Sequence, residues 1–428
     1  MTYWDLVLAS RQYPPARGIV SVCSAHPFVI GATLSFVHRL PRSIPVLIES
    51  TSNQVNPEGG YTGMTPKTFA VYIRRRAKQV GVPRARVYLG GDHLGPLPWA
   101  HLPPEQAMAR AETLVAAYVR AGYTKIHLDC SMPLGGETRV DVELVAARTA
   151  ALARVAEAAR PVGVTLRYVI GSEVPPAGGA KAEEGPPPIT RPEQVHETLT
   201  AMQAAFARAG LHDAWQRVLA LVVQPGVEFG AETVHVYQPG AARALTEALA
   251  TWPQPLVYEA HSTDYQPRAA LRGLVDDGFA ILKVGPALTF AFREAVFALE
   301  AIERELGVPE PSRLREVLEQ VMLDDPRHWQ RYYPGSEEEQ RLARAFGLSD
   351  RIRYYWLRPQ VQRALDQLFA NVRARRIPWG LLHQYLPTIA DAVRAGQLPS
   401  DAPRAWVMAH IQAVLEDYAW ATRMLMAD

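Results

Sequence analysis

Three consecutive stretches, Arg86-Val-Tyr-Leu-Gly90, Pro104–Ala121 and Lys125-Ile-His-Leu-Asp129, decide the fold. Each outer stretch is a short apolar run that ends in a small or acidic residue, and the one between has helical periodicity. Two strands joined through a helix pair in parallel, because the helix crosses back over the sheet. Working outward, similar apolar runs stand at 18–23, 45–49, 164–170, 218–223, 255–259 and 279–284, which brings the count to eight. Helical patterns at 66–80, 142–159, 192–209, 240–250 and 268–276 separate them. Eight such units predict an α/β fold of the TIM (β/α)8 barrel type. The alternative, a doubly wound sheet, usually has fewer strands, and no GxGxxG fingerprint follows the first run here.

Residues 1–297 are therefore read as the barrel and 298–428 as a helical extension, with helices expected at 299–306, 311–322, 337–345, 360–374, 380–395 and 403–424. Aromatic residues crowd the extension at 329–333 and 354–356, and Arg351 and Arg353 make it a candidate lid or interface. The Gly- and Pro-rich stretch 175–188 reads as a loop near the site.

Composition narrows the function classes. Of the 428 residues 48% are hydrophobic and 21% charged, enough to bury a large core. The 45 basic and 43 acidic residues are interspersed, so no basic stripe predicts nucleic acid or an anionic membrane as partner. No apolar run reaches the roughly 20 residues of a membrane span, and the first residues lack a signal-peptide pattern. With two cysteines, Cys23 and Cys130, the expectation is a cytoplasmic protein.

Barrel enzymes carry their chemistry at the carboxyl ends of the strands. Here those ends bear Ser24 and His26, Glu49 and Asn53, Asp92 and His93, Asp129, Glu173, Gln224 and Glu228, Glu259 and His261, and Lys283. So many acids and imidazoles in one mouth need a cation or a substrate to compensate them. Histidines with a carboxylate suit Zn2+ or a related ion. His127 lies two residues before Asp129, so both side chains share a strand face; site and core are open readings for it. Lys283 is either a Schiff-base lysine or, the favoured reading, one paired to Asp129 or Glu259.

Several motifs look familiar as blocks. They include Glu49-Ser-Thr-Ser-Asn-Gln54, Gly90-Gly-Asp-His-Leu-Gly-Pro96, Lys125-Ile-His-Leu-Asp-Cys-Ser131, Gln224-Pro-Gly-Val-Glu-Phe229, Tyr258-Glu-Ala-His-Ser-Thr-Asp264, Lys283-Val-Gly-Pro-Ala-Leu-Thr289 and Ser349-Asp-Arg-Ile-Arg-Tyr-Tyr-Trp356. Together they resemble the tagatose-1,6-bisphosphate aldolase accessory-subunit family of GatZ/KbaZ type. The resemblance implies a barrel related to class II ketose-bisphosphate aldolases and ketose C4-epimerases. It also implies a sugar or sugar-phosphate ligand, and a catalytic aldolase subunit as partner; a homo-oligomer is left open. Asp92-His93 resembles the class II pair in which the histidine binds zinc and the aspartate moves a proton, and His261 resembles the histidine after the seventh strand.

The resulting expectation is a divalent metal on His93, Glu228 and His261, with Zn2+ first and Mn2+, Co2+ or Ni2+ as alternatives. Asp92, then Glu173 or Asp129, would serve as acid or base. Glu49, Asn53, Gln224, Lys283, Arg351 and Arg353 would bind substrate. Two departures from the class II pattern stand out. Gln224 and Glu228 stand where those enzymes have a zinc histidine after strand six. Gly285-Pro286-Ala287 replaces the expected phosphate loop, where the proline removes a backbone donor.

Overall fold

Eight short strands run parallel and close on themselves in chain order in the computed structural model, which describes residues 2–11, 13, 15–171, 185 and 187–425. They are β1 (Ile19–Cys23), β2 (Val46–Thr51), β3 (Val87–Leu94), β4 (Lys125–Leu128), β5 (Arg167–Ile170), β6 (Val218–Val222), β7 (Val257–Ala260) and β8 (Phe279–Val284). β8 pairs with β1 to complete the barrel. Continuous burial of β6, β7 and β8 explains their unbroken apolar runs, since helices cover the outer face and side chains fill the inner one.

The fifth strand begins later than the apolar pattern suggests. Pro161 accepts a hydrogen bond from the Val164 N–H and Gly163 adopts φ 79°, so a turn consumes the first residues of that run. β3 ends later than expected. Its register shifts between Gly91 and Leu94, and His93 adopts φ 47°. Such a bulge cancels the usual alternation of faces, so the adjacent Asp92 and His93 both line the barrel mouth. Gly90 is required below them: a Cβ there would lie 2.7 Å from the Glu49 side chain.

A helix at Tyr3–Ser10, not anticipated from sequence, sits at the strand starts. A Thr2–Asp5 capping box begins it, Tyr3 donates to the Gly18 carbonyl, and Trp4 stacks on Tyr88 with ring centroids 5.7 Å apart. The helix after β8, Pro286–Glu305, runs unbroken through the 297/298 division. The closing helix Pro403–Ala421 returns to pack on it and on Pro27–His38 and Arg268–Asp276. The extension is thus built onto the barrel wall. Its segment 380–395 forms two helices, Trp379–Tyr385 and Pro387–Arg394, because Pro387 cannot continue the first.

Candidate metal centre at the barrel mouth

Three imidazoles form a triangle above the barrel core. Ring centroids are 5.0 Å apart for His93 and His127, 5.0 Å for His93 and His261, and 5.4 Å for His127 and His261. Each ring has a carboxylate on one nitrogen. His93 Nδ1 lies 2.8 Å from Asp129 Oδ2, His127 Nδ1 2.9 Å from Asp92 Oδ1, and His261 Nε2 2.9 Å from Glu259 Oε1. On His93 and His261 a carboxylate there favours the proton on that nitrogen and leaves the opposite lone pair for a metal, whereas His127 Nδ1 also faces the His93 N–H at 3.2 Å. His127 Nε2 is buried without a hydrogen-bond partner among the described residues, so that nitrogen calls for one. Ligand atoms of Asp92, His93, His127 and His261 all lie within 4.8 Å of one another. Three nitrogen donors, with a further position left open, fit Zn2+ or a related divalent ion.

Beneath the imidazoles lies a layer of opposite charges. Lys125 Nζ is 2.6 Å from Glu49 Oε1 and 2.7 Å from Glu259 Oε2, and all three side chains are fully buried. Lys283 Nζ pairs with Asp92, with Glu49 at 3.3 Å and with Glu259 at 3.8 Å. Four carboxylates, those of Glu49, Asp92, Asp129 and Glu259, thus face two ammonium groups. With neutral imidazoles the cluster carries two surplus negative charges, which a divalent cation would balance. Without one, the charges act on the histidines. Burial opposes a proton on His93, but Asp92 and Asp129 raise its pKa above the ordinary value. Burial and then Lys283 hold His261 down at about 3. Burial also works against an ionised Asp92, yet His93 and Lys283 keep its carboxyl well below the usual range.

A cavity of about 140 Å³ opens over this cluster. Cys23, Ser24 and His26 line one side, Asn53, Gln54 and Tyr61 another, and Arg353, Tyr354 and Leu357 of the extension contribute part of the wall. Tyr61 and Tyr354 meet edge to face at 4.7 Å. Left-handed φ values at His93 (47°) and Ser262 (52°) strain the cavity wall itself.

The expected site residues divide in the structure. Asp92, His93, His261, Asn53, Lys283 and Arg353 line the cavity. Glu49 is sealed in the ionic layer below, and Asp129 stands behind His93, where Ser131 also donates to it. Among the described residues, Glu228 is not part of the group of ligand atoms within 4.8 Å of one another. It lies in a short hairpin, Glu228–Phe229 with Val234–His235, where its Oε1 accepts from the Phe229 N–H. The third imidazole is His127. Gln224 is turned into its own loop, accepting from Gly226 and Val227. Arg351 is buried away from the cavity, with Nε on the His328 carbonyl and its guanidinium over Tyr332. Lys283 pairs with Glu259 as expected, but with Glu49 and Asp92 in place of Asp129. Glu173 and most of 175–188 lie outside the described residues. Lys125 was not singled out, although Lys125, His127 and Asp129 at alternate positions signal one polar inward face.

A family model described as D-tagatose-1,6-bisphosphate aldolase subunit GatZ/KbaZ-like matches residues 5–423. The chain belongs to the GatZ/KbaZ-like family. A crystal structure of a probable tagatose 6 phosphate kinase from Sinorhizobium meliloti matches at 47% identity with a TM-score of 0.87, covering 95% of this chain and 100% of that one. The YdjI aldolase from Escherichia coli and a fructose-bisphosphate aldolase from Campylobacter jejuni each match at 14% identity, with TM-scores of 0.42 and 0.43. They cover 86% of this chain, and 94% and 89% of theirs, a likeness too distant to bear on function. Membership of the GatZ/KbaZ-like family ties the barrel to carbohydrate metabolism, and no helix among the described residues is long and apolar enough to cross a membrane.

Proposed function

We propose that this GatZ/KbaZ-like protein is a metal-dependent enzyme that breaks, or breaks and re-forms, the C3–C4 bond of a ketohexose or ketohexose phosphate of the tagatose or fructose type. The observation that carries this reading is the triangle of carboxylate-backed imidazoles, of which His93 and His261 line a cavity rich in hydroxyl-binding groups. A divalent ion on His93, His127 and His261 would act as a Lewis acid toward a carbonyl oxygen. Asp92, kept ionised and lining the cavity, takes the proton of the C4 hydroxyl. The C3–C4 electron pair then passes toward the C2 carbonyl, leaving an enediolate and an aldehyde. Release gives an aldolase; return of the pair to the other face of the aldehyde gives a 4-epimerase. Lys283, beside Asp92, keeps that carboxylate ionised, while Asp129 and Glu259 act through the histidines as positioning residues.

A second reading has its own support, because the family description names a subunit. In that case the chain serves a separate catalytic aldolase. One experiment separates the two. The isolated chain with Zn2+ or Mn2+ is incubated with tagatose 1,6-bisphosphate and with fructose and tagatose, free and 6-phosphorylated. Turnover that falls on the order of 10²- to 10⁴-fold in Asp92→Asn, with metal retained, supports the enzyme. Silence on every sugar, with stimulation of an added catalytic aldolase that survives Asp92→Asn, establishes the helper.

A further inference from the structure

Phosphate groups in barrel proteins commonly sit where the loops after strands seven and eight meet a helix N-terminus, whose free N–H groups point at the anion. In this chain that position already holds an anion of its own. Asp264, four residues beyond β7, aims Oδ1 at the start of the helix Pro286–Glu305. It accepts there from the Gly285 N–H at 2.9 Å and the Ala287 N–H at 2.8 Å. Pro286 between them has no N–H to offer. The next amide, that of Leu288, is spent on the Gly285 carbonyl.

The carboxylate is also held in place. Asp264 is buried and lines the cavity together with Lys283, Gly285 and Pro286. Thr263 beside it donates to the Lys283 carbonyl at 2.6 Å, and Tyr418 of the closing helix donates to the Thr263 carbonyl at 2.7 Å. Tyr265 on the other side adopts φ 63°. A segment pinned from both sides and strained to this degree is not free to swing away for a ligand. A phosphate brought here meets amides already used and a carboxylate at contact distance, whereas a sugar hydroxyl finds an acceptor.

We infer that Asp264 is a specificity residue that closes the strand-seven and strand-eight anion position, so that the cavity takes a ketose with a free hydroxyl at that end and rejects a 1,6-bisphosphate. The inference rests on the sugar-site reading above and narrows it to unphosphorylated or singly phosphorylated ketohexoses.

Binding, not turnover, tests it. The metal-loaded chain is titrated calorimetrically with fructose 6-phosphate, with fructose 1,6-bisphosphate and with inorganic phosphate. Wild type is expected to bind the monophosphate at least tenfold more tightly than the bisphosphate. Asp264→Ala, which frees both amides, should close most of that gap by gaining bisphosphate affinity, and should gain affinity for inorganic phosphate as well. Asp264→Asn keeps an oxygen on the amides and removes the charge, so it should recover part of the effect if Asp264→Ala does not fold. Equal or tighter bisphosphate binding by wild type overturns the inference alone, as does an unchanged ratio in folded variants. Absence of binding by both sugar phosphates, and by free fructose and tagatose titrated alongside them, in wild type and variants alike, overturns the sugar-site reading and this inference with it.

Discussion

Two polar layers sit one above the other in this barrel, and they are built on opposite plans. In the lower one, Lys125 is locked between Glu49 and Glu259 at 2.6 and 2.7 Å, sealed from solvent. In the upper one, three imidazoles are each satisfied on one nitrogen, and His127 Nε2 is left with no partner among the described residues. A buried charge that is paired is part of the structure; a buried ring nitrogen that is left unpaired calls for a ligand. The layers are also joined, since Glu259 holds Lys125 with one oxygen and His261 with the other.

The sharpest way to break the comparison is to exchange the two candidates for third ligand. His127→Ala should reduce bound Zn2+ from about one per chain to a trace after dialysis, while Glu228→Ala leaves it unchanged. Elemental analysis of the folded variants reads this directly. The reverse pattern would return Glu228 to the centre and leave His127 as a core histidine.

That exchange also marks where the sequence stopped being legible. β-branched runs spaced by amphipathic helices were enough for eight strands, and polar strand ends were enough to find the mouth. The bulge in β3 was not visible, because nothing in Gly-Gly-Asp-His says that His93 will adopt φ 47° and turn to the same side as Asp92. The positions of Gln224 and Glu228 were not legible for a related reason. Gly226, at φ 89°, lets the chain turn over the Gln224 side chain, which carries the acid onto a separate hairpin. Arg351 and Arg353 sit two apart on a single 3-10 turn, so one faces the cavity and the other packs on Tyr332. Spacing alone does not choose between them.

The lower layer should respond in stability where the upper responds in metal. Lys125→Met leaves Glu49 and Glu259 facing each other without their shared cation. Breaking one partner out of a buried ion network typically costs about 3–5 kcal/mol. Chemical denaturation of the metal-free protein should show a loss of that size, and a loss below about 1 kcal/mol would mean that water or Lys283 already shields the two acids. A smaller effect is expected where the layers meet the metal only through a histidine. Asp129→Asn still accepts a hydrogen bond but no longer supports His93 with a charge. Removing such an outer carboxylate lowers metal affinity about 10- to 100-fold. Competition with a chelator measures it, and an unchanged affinity would make Asp129 a loop anchor for Ser131.

The smallest expected effect separates two kinds of buried carboxylate. Burial disfavours the charge on Glu259, but Lys125 and Lys283 outweigh it and lower its pKa, so its contribution to stability is present at neutral pH and lost on acidification. Asp264 is the opposite case. Burial raises it to about 6, against which the Ala287 and Gly285 amides and Arg353 recover only part. Between pH about 4 and about 6 the unfolded chain has given up this proton and the folded chain keeps it. The folded state therefore binds more protons in that window, and the contribution of Asp264 to stability falls as pH rises through it. Asp264→Asn cannot ionise and should lack this slope. The melting temperature of wild type minus that of Asp264→Asn should thus decline from pH 4 to pH 6 and level off above. A difference that stays flat from pH 4 to pH 6, and rises only where the unfolded carboxyl titrates below about pH 4, would mean that the helix amides hold the carboxylate ionised throughout, which places Asp264 with Glu259 among the fully compensated acids.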